Sequence, residues 1–201
     1  MKKILLTAFD PFGGETINPA LVAVMALPNE INGVQILKQE LPTVYGKSFD
    51  TLLPLLEHES PGAVISVGQA AGRSNISIER IAINIDDATM ADNDGAVLTN
   101  QPIITDGPAA YFSTLPVSKI ICDLHQAQIP ASISNTAGTF VCNHIMYKTL
   151  HHVAKLGTKA GFVHVPCLPS QTLTKPSTPS MSLENIVKGL TAIIQTTAAT
   201  L

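Results

Sequence analysis

The sequence predicts an α/β domain: a three-layer sandwich in which a mixed, mostly parallel sheet carries helices on both faces. Two observations carry this expectation. Strand-like runs alternate with helical runs along most of the chain, the pattern of strands joined by crossover helices. Several of the strand-like runs are continuously apolar, as strands must be when both of their faces are covered. With 201 residues and no linker, the chain reads as a single domain over 1–201, or at most one domain with an appended hairpin.

In chain order, Lys3 to Ala8 is the first buried strand. A loop from Phe9 leads to Asn18-Pro19, with Asn as helix cap and Pro at the first helical position of a helix running to about Leu27. Val34 to Leu41 alternates as a strand, and Tyr45 to His58 has helical spacing through Phe49, Leu52, Leu53 and Leu56. Pro54 inside that run predicts a kink or a late start. Ala63 to Val67 is another continuous strand, and Asn75 to Ile85 reads as one β-rich stretch. A polar loop, Asp86 to Gly95, and a short extended piece near Val97 follow. Gly107-Pro108 and Leu115-Pro116 punctuate the approach to a helix over Val117 to Gln126. Ala131-Ser132-Ile133 is a short strand, Ile145 to Leu156 a helix, and Gly161 to Val165 a strand ended by Pro166. A Pro-, Ser- and Thr-rich loop then leads to a last helix, opened by Ser182 and running to about Thr196.

Bulk properties exclude several classes. Only 13% of residues are charged, against about 25% in ordinary soluble domains, so part of the surface is expected to be covered in an oligomer. The net charge of −3, with no basic run, argues against nucleic acid as a partner. Met1-Lys2-Lys3 precedes an apolar run too short for a secretory core, and no stretch is long enough to span a membrane. Cys122, Cys142 and Cys167 are widely spaced, which suits neither a disulfide framework nor a paired-cysteine metal site; a reducing cytoplasm is expected. No metal site is expected at the acidic loop Asp86, Asp87, Asp92 and Asp94 either, because the calcium-loop spacing and its terminal Glu are absent.

The chemistry concentrates where Ser134 to His144 joins a strand to a helix. A cysteine there can be a space-filling thiol, or it can be a nucleophile favoured as thiolate by free N–H groups and the positive end of the helix dipole. His164, near the end of a later strand, can meet Cys142 above one sheet edge and act as its base. Glu79, in the alternating run Ser77 to Asn84, supplies the carboxylate that would orient the imidazole. His144 points off the same helix turn in another direction and reads as structural. Phe12-Gly13-Gly14 follows a first strand but lacks the spacing and the lysine of phosphate loops. Phe9, Phe12 and Phe140 read either as core residues or as walls for a flat ligand.

Four separated stretches share a pattern with one family. Gly68-Gln69-Ala70-Ala71-Gly72-Arg73 running into Ile76 to Asn84 resembles the glutamate signature of the type I pyroglutamyl peptidases, also called pyrrolidone-carboxylate peptidases. Ser134 to His144 resembles their cysteine signature, Gly161 to Pro166 their histidine segment, and Leu6 to Ala20 their amino-terminal loop. The resemblance implies a cysteine exopeptidase that removes an N-terminal pyroglutamyl residue from peptides through a thioester. It assigns Cys142, His164 and Glu79 as nucleophile, base and orienting group. It also implies a ring pocket from Phe9, Phe12, Asn18, Gln69, Phe140 and Val141, no cofactor, N-terminally pyroglutamylated peptides as partners, and a homotetramer. A lactam- or peptide-binding member with weakened or lost turnover is the alternative. One departure bears on rate: after Asp87-Ala88 the family usually carries an arginine near the site, and this chain has Thr89 followed by Met90-Ala91. A slower enzyme is expected unless Arg73 or Arg80 supplies that charge.

Overall fold

The computed structural model covers residues 2–201; Met1, at the head of the amino-terminal run considered above, lies outside them. The strands are β1 (Lys3–Phe9), β2 (Glu30–Ile31), β3 (Val34–Leu41), β4 (Ala63–Gln69), β5 (Ile76–Glu79), β6 (Ile81–Ile83), β7 (Ala110–Phe112), β8 (Ala131–Ser134) and β9 (Lys159–Val165). The helices are α1 (Pro19–Ala26), α2 (Lys47–Glu59), α3 (Val117–Gln126), α4 (Val141–Val153) and α5 (Leu183–Ala198).

Seven strands form one sheet in the order β2-β3-β1-β4-β9-β5-β8. β3, β1, β4 and β9 run parallel, β5 is antiparallel to β9 and parallel to β8, and β2 pairs antiparallel with β3. Alternation along the strands builds two cores. Ile4, Leu6, Ala8, Ile65 and Val67 face α1, α3 and α5, whereas Leu5, Phe9, Val64 and Phe162 face α2 and α4. The sheet is therefore the middle of three layers, as the continuous apolar runs predict.

Helix ends follow local chemistry. Asn18 accepts a hydrogen bond from the Ala20 N–H (3.0 Å) to start α1, and Ser182 does the same for Asn185 N–H (3.3 Å) at α5. Pro54 does not delay α2, which starts at Lys47 and runs past it to Glu59; Pro54 is exposed, so water can satisfy the carbonyl freed by its missing N–H.

Three expectations are corrected. The stretch from Asn75 to Ile85 is two strands: β5 stays in the main sheet, the chain turns at exposed Arg80, and β6 pairs with β7 in a separate ribbon. The extended piece near Val97 joins no strand; residues 84–109 are held by backbone bonds, such as the isolated Asp86–Gln101 bridge and Ala88 N–H to Leu98 C=O (3.0 Å), and by side chains, such as Asn84 bonding Ile104 N–H and C=O (2.9 and 2.8 Å). The cysteine helix begins at Val141, not Ile145.

Candidate active site

The cavity opens beyond the carboxyl ends of β1, β4 and β9, where loops rather than strands supply the walls. It has a volume of about 380 Å³, and Cys142 and His164 both line it with Phe12, Gln69, Phe140 and Met90.

Sheet register brings Glu79 to His164. In the antiparallel β5–β9 pair, Ser77 lies opposite His164 and Glu79 opposite Phe162. Glu79 and His164 are thus diagonal neighbours on one face, within reach for long side chains. His164 Nδ1 donates to Glu79 Oε1 at 2.7 Å, with the carboxylate fully buried and the imidazole 4% exposed. That bond leaves Nε2 as the nitrogen available to the cavity.

Helix α4 sets the thiol. Cys142 is its second residue, and no side chain caps the N–H groups of its first turn. The two residues after Cys142 fasten this end of the helix. Buried Asn143 accepts from Ile83 N–H (3.0 Å) and donates to Ile83 C=O (2.9 Å) and Ile85 C=O (3.0 Å). His144 donates from Nδ1 to Asp86 (2.7 Å) and accepts the Gly46 N–H at Nε2 (3.2 Å). The thiol rests over Gly68, where an added Cβ would lie 3.1 Å from Sγ and 2.8 Å from the Phe162 ring. Gly68 is the register partner of His164 on the neighbouring strand, so thiol and imidazole meet over adjacent strand ends.

Burial raises the Glu79 carboxyl, but the His164 bond and charge, the Ser134 hydroxyl and Arg73 together hold it below its usual value. Ser134 lies opposite Glu79 on β8 and also donates to Thr136 C=O (3.0 Å). Burial keeps His164 below the ordinary histidine value despite the opposing pull of Glu79. The thiol departs from expectation. Burial and the Glu79 charge push it up to about 12, against the weaker downward pull of Arg73 and a backbone hydrogen bond. The helix start alone would favour a thiolate; the carboxylate beneath it and the loss of water win.

Of the expected ring-pocket residues, Phe12, Gln69 and Phe140 line the cavity, and the Phe12 and Phe140 centroids lie 6.3 Å apart. Phe9, Asn18 and Val141 do not. Phe9 is 2% exposed and packs on Phe162, Val141 is wholly in the core, and Asn18 is spent on capping α1 and donating to Asp10 C=O (3.2 Å). Glu15, Ala71, Met90 and Ala137 line the cavity without having been singled out in the sequence. Glu15 sits in the loop that resembles the family, which was the available signal. Its carboxylate is held below the usual range by Lys175 (2.5 Å) and Gln171 (3.4 Å), which blunts its charge at the wall. Thr89 is exposed beside Met90, Arg80 is exposed, and Arg73 is bonded to Glu79. Among the other cysteines, Cys167 is buried, and Cys122 is exposed because α3 buries Ile120 and Leu124. Among the described residues no cluster of His, Cys, Asp or Glu could hold a metal ion, and no helix is long and apolar enough to cross a membrane.

Comparison with known proteins agrees with this architecture. Residues 2–200 match the profile of the family described as pyroglutamyl peptidase. A pyrrolidone-carboxylate peptidase of Treponema denticola is 53% identical over 199 residues, covering 96% of this chain and 92% of the relative. One from Streptococcus pyogenes is 52% identical, covering 96% of this chain and 90% of the relative. The crystal structure of Bacillus amyloliquefaciens pyroglutamyl peptidase I superposes with a TM-score of 0.95 at 42% identity, covering 99% of this chain and 98% of that one. A mutant pyrrolidone carboxyl peptidase from Pyrococcus furiosus gives 0.96 at 43% identity, with 99% of each chain covered. By a match that runs almost from end to end, this chain belongs to the pyroglutamyl peptidase family.

Proposed function

We propose that this protein removes an N-terminal pyroglutamyl residue from peptides by acyl transfer to Cys142. A cyclised terminal glutamine has no ammonium group, so recognition must fall on a flat neutral lactam with apolar faces and one amide edge. The observation that carries the reading is the single cavity that holds thiol and imidazole beside two phenyl rings. The Phe12 and Phe140 rings, 6.3 Å apart and tilted 42° to one another, form an apolar wedge that suits the faces of the lactam ring. Gln69, at the end of β4, meets the amide edge with its backbone.

The resting thiol is neutral, so its proton leaves during attack rather than before it. Cys142 Sγ bonds to the pyroglutamyl carbonyl carbon while His164 Nε2 takes the thiol proton. The carbonyl oxygen becomes an oxyanion, stabilised by first-turn N–H groups of α4, including that of Cys142. The C–N bond then breaks, and His164 returns the proton to the departing amine. Water adds to the thioester with His164 taking its proton, and collapse frees pyroglutamic acid and restores the thiol. Glu79 keeps the Nδ1–H tautomer and stabilises the transient imidazolium.

The unit of this activity is the whole chain, 1–201, working in the cytoplasm as a homotetramer. The low share of charged residues and exposed Phe112 and Leu156 support an assembly. The test is release of chromophore from a pyroglutamyl amide, before and after thiol alkylation and with Cys142→Ser. Turnover lost in both treatments supports the reading; no turnover by the untreated protein, or a normal rate from folded Cys142→Ser, overturns it.

A further inference from the structure

Arg73, in the loop between β4 and β5, is bonded to both halves of the site. Its Nη1 donates to Glu79 Oε1 at 2.6 Å, the same oxygen that receives His164 Nδ1–H at 2.7 Å. Its Nη2 donates to Thr136 C=O at 3.2 Å. Thr136 lies in the loop that carries Ala137 and Phe140 into the cavity wall and then enters α4 at Val141, one residue before Cys142. The arginine side chain is 30% exposed, whereas Glu79 is fully buried and its Oε2 has no hydrogen-bond partner.

This arrangement answers a physical difficulty. A buried carboxylate facing only a neutral imidazole has lost most of its hydration and tends to take up a proton. Once protonated, it no longer stabilises an imidazolium. A guanidinium on the same oxygen supplies compensating charge from the half-open side of the site, and its planar fork reaches a second acceptor that an ammonium could not hold at the same time.

We propose that Arg73 is a positioning residue of this site, holding Glu79 as the carboxylate that aims His164 and tying that carboxylate to the loop that delivers Cys142. The inference rests on the acyl-transfer reading above and adds a fourth member to its machinery. It also removes Arg73 as a substitute for the arginine that Thr89 replaces, because both arms of the fork are already occupied.

The titratable and charged groups gathered here are Arg73 from the β4–β5 loop and His164 from β9, both bonded to Glu79 from β5, with Cys142 from α4 lining the same cavity as His164. Arg73 lowers the pKa of each of the other three. Its removal lets the buried Glu79 carboxyl take up a proton, and because the Glu79 bond and charge raise His164 more than Arg73 lowers it, the imidazole then gains its proton only at a lower pH than before.

The experiment compares Arg73→Gln and Arg73→Lys with the parent protein. It measures kcat, KM and the acid limb of kcat/KM on a pyroglutamyl amide, and the NMR titration of His164 in the resting protein. Arg73→Gln should lower kcat on the order of a hundredfold with KM within about threefold, and move the His164 titration and the acid limb that reports it to lower pH. Arg73→Lys should leave the limb in place and lose about tenfold in kcat, because it keeps the charge and drops the fork. An Arg73→Gln protein with unchanged kcat and limb overturns the proposal, and so does a fall in kcat without movement of the His164 titration. If Arg73→Gln does not fold, Arg73→Lys decides: the stated loss supports the role and full activity overturns it. Should the parent protein show no turnover, the acyl-transfer reading fails separately, and the His164 titration alone decides whether Arg73 governs the Glu79–His164 pair.

Discussion

Two buried histidine–carboxylate pairs lie beside the start of α4, and their bonds have the same length. His164 donates to Glu79 at 2.7 Å, and His144, two residues after Cys142, donates to Asp86 at 2.7 Å. In each pair the second carboxylate oxygen is buried without a partner. The difference is on the far side of the ring. His144 Nε2 is occupied by the Gly46 N–H, and its ring packs edge-on against Tyr45, whereas the His164 ring borders the cavity. A histidine–carboxylate pair is thus a brace when both nitrogens are used up by the protein and a proton shuttle when one is left for a ligand.

The largest expected effect tests that distinction directly. His164→Ala and Cys142→Ser should each cost on the order of 10⁴-fold or more in kcat with the fold retained, and Glu79→Gln somewhat less, since it weakens the base without removing it. His144→Ala should keep kcat within about tenfold yet lose roughly 3 kcal/mol of stability, because it strands the Asp86 carboxylate in the core. Thermal melts beside steady-state rates separate the two patterns. A folded His144→Ala protein as inactive as His164→Ala would break the comparison.

The pH profile gives the next effect. The shuttle must be neutral to accept a proton, and burial lowers its pKa, so the imidazole stays neutral to lower pH than a free histidine. The acid limb of kcat/KM should therefore lie below about pH 6.5. With the thiol pushed up to about 12, inactivation by iodoacetamide should keep rising with pH above 9 rather than level off near neutrality. A plateau at neutral pH would mean that a thiolate–imidazolium pair forms at rest.

Smaller still are the walls. Phe140→Ala or Phe12→Ala should raise KM for a pyroglutamyl amide roughly five- to tenfold while leaving kcat nearly intact, the loss of one aromatic contact. Unchanged KM in both would take the rings out of recognition. The smallest effect expected is at Thr89, exposed beside the cavity-lining Met90. Thr89→Arg should give a gain of a few-fold in kcat if the developing oxyanion lacks a charged donor; no gain would mean that the backbone donors of α4 suffice.

Much of this was legible in the chain. The unbroken apolar runs of β1, β4 and β9 announced the middle of a covered sheet, and Asn18-Pro19 announced the start of α1. The thiol at a strand-to-helix junction and the imidazole near a strand end were readable because local pattern places them. What local pattern could not convey was long-range. Alternation slips by one residue at Glu79-Arg80, from Ile76 and Ile78 to Ile81 and Ile83, which marks the transfer of the chain from one sheet to another but does not say which strand β6 will join. Strands as short as β2 and β7 exist because a neighbour pairs with them, not because of their own residues. Phe9 and Val141 were placed at the ligand because their chain neighbours are there, yet both side chains turn inward. The high thiol pKa comes first from water excluded by several elements together and then from the charge of Glu79, which is remote from Cys142 in the sequence.

That neutral thiol has a consequence for how the protein ages. A thiol pushed that far above neutrality is almost wholly protonated at pH 7. Peroxide and disulfides attack through the thiolate, so Cys142 is a slow target between turnovers and becomes nucleophilic only as its proton passes to His164. Cys122, exposed on α3 and with no part in the site, is the sulfur that should tarnish first in stored protein. The catalyst would then outlast the visible oxidation of its own surface, its durability arising from the same burial that makes its nucleophile reluctant.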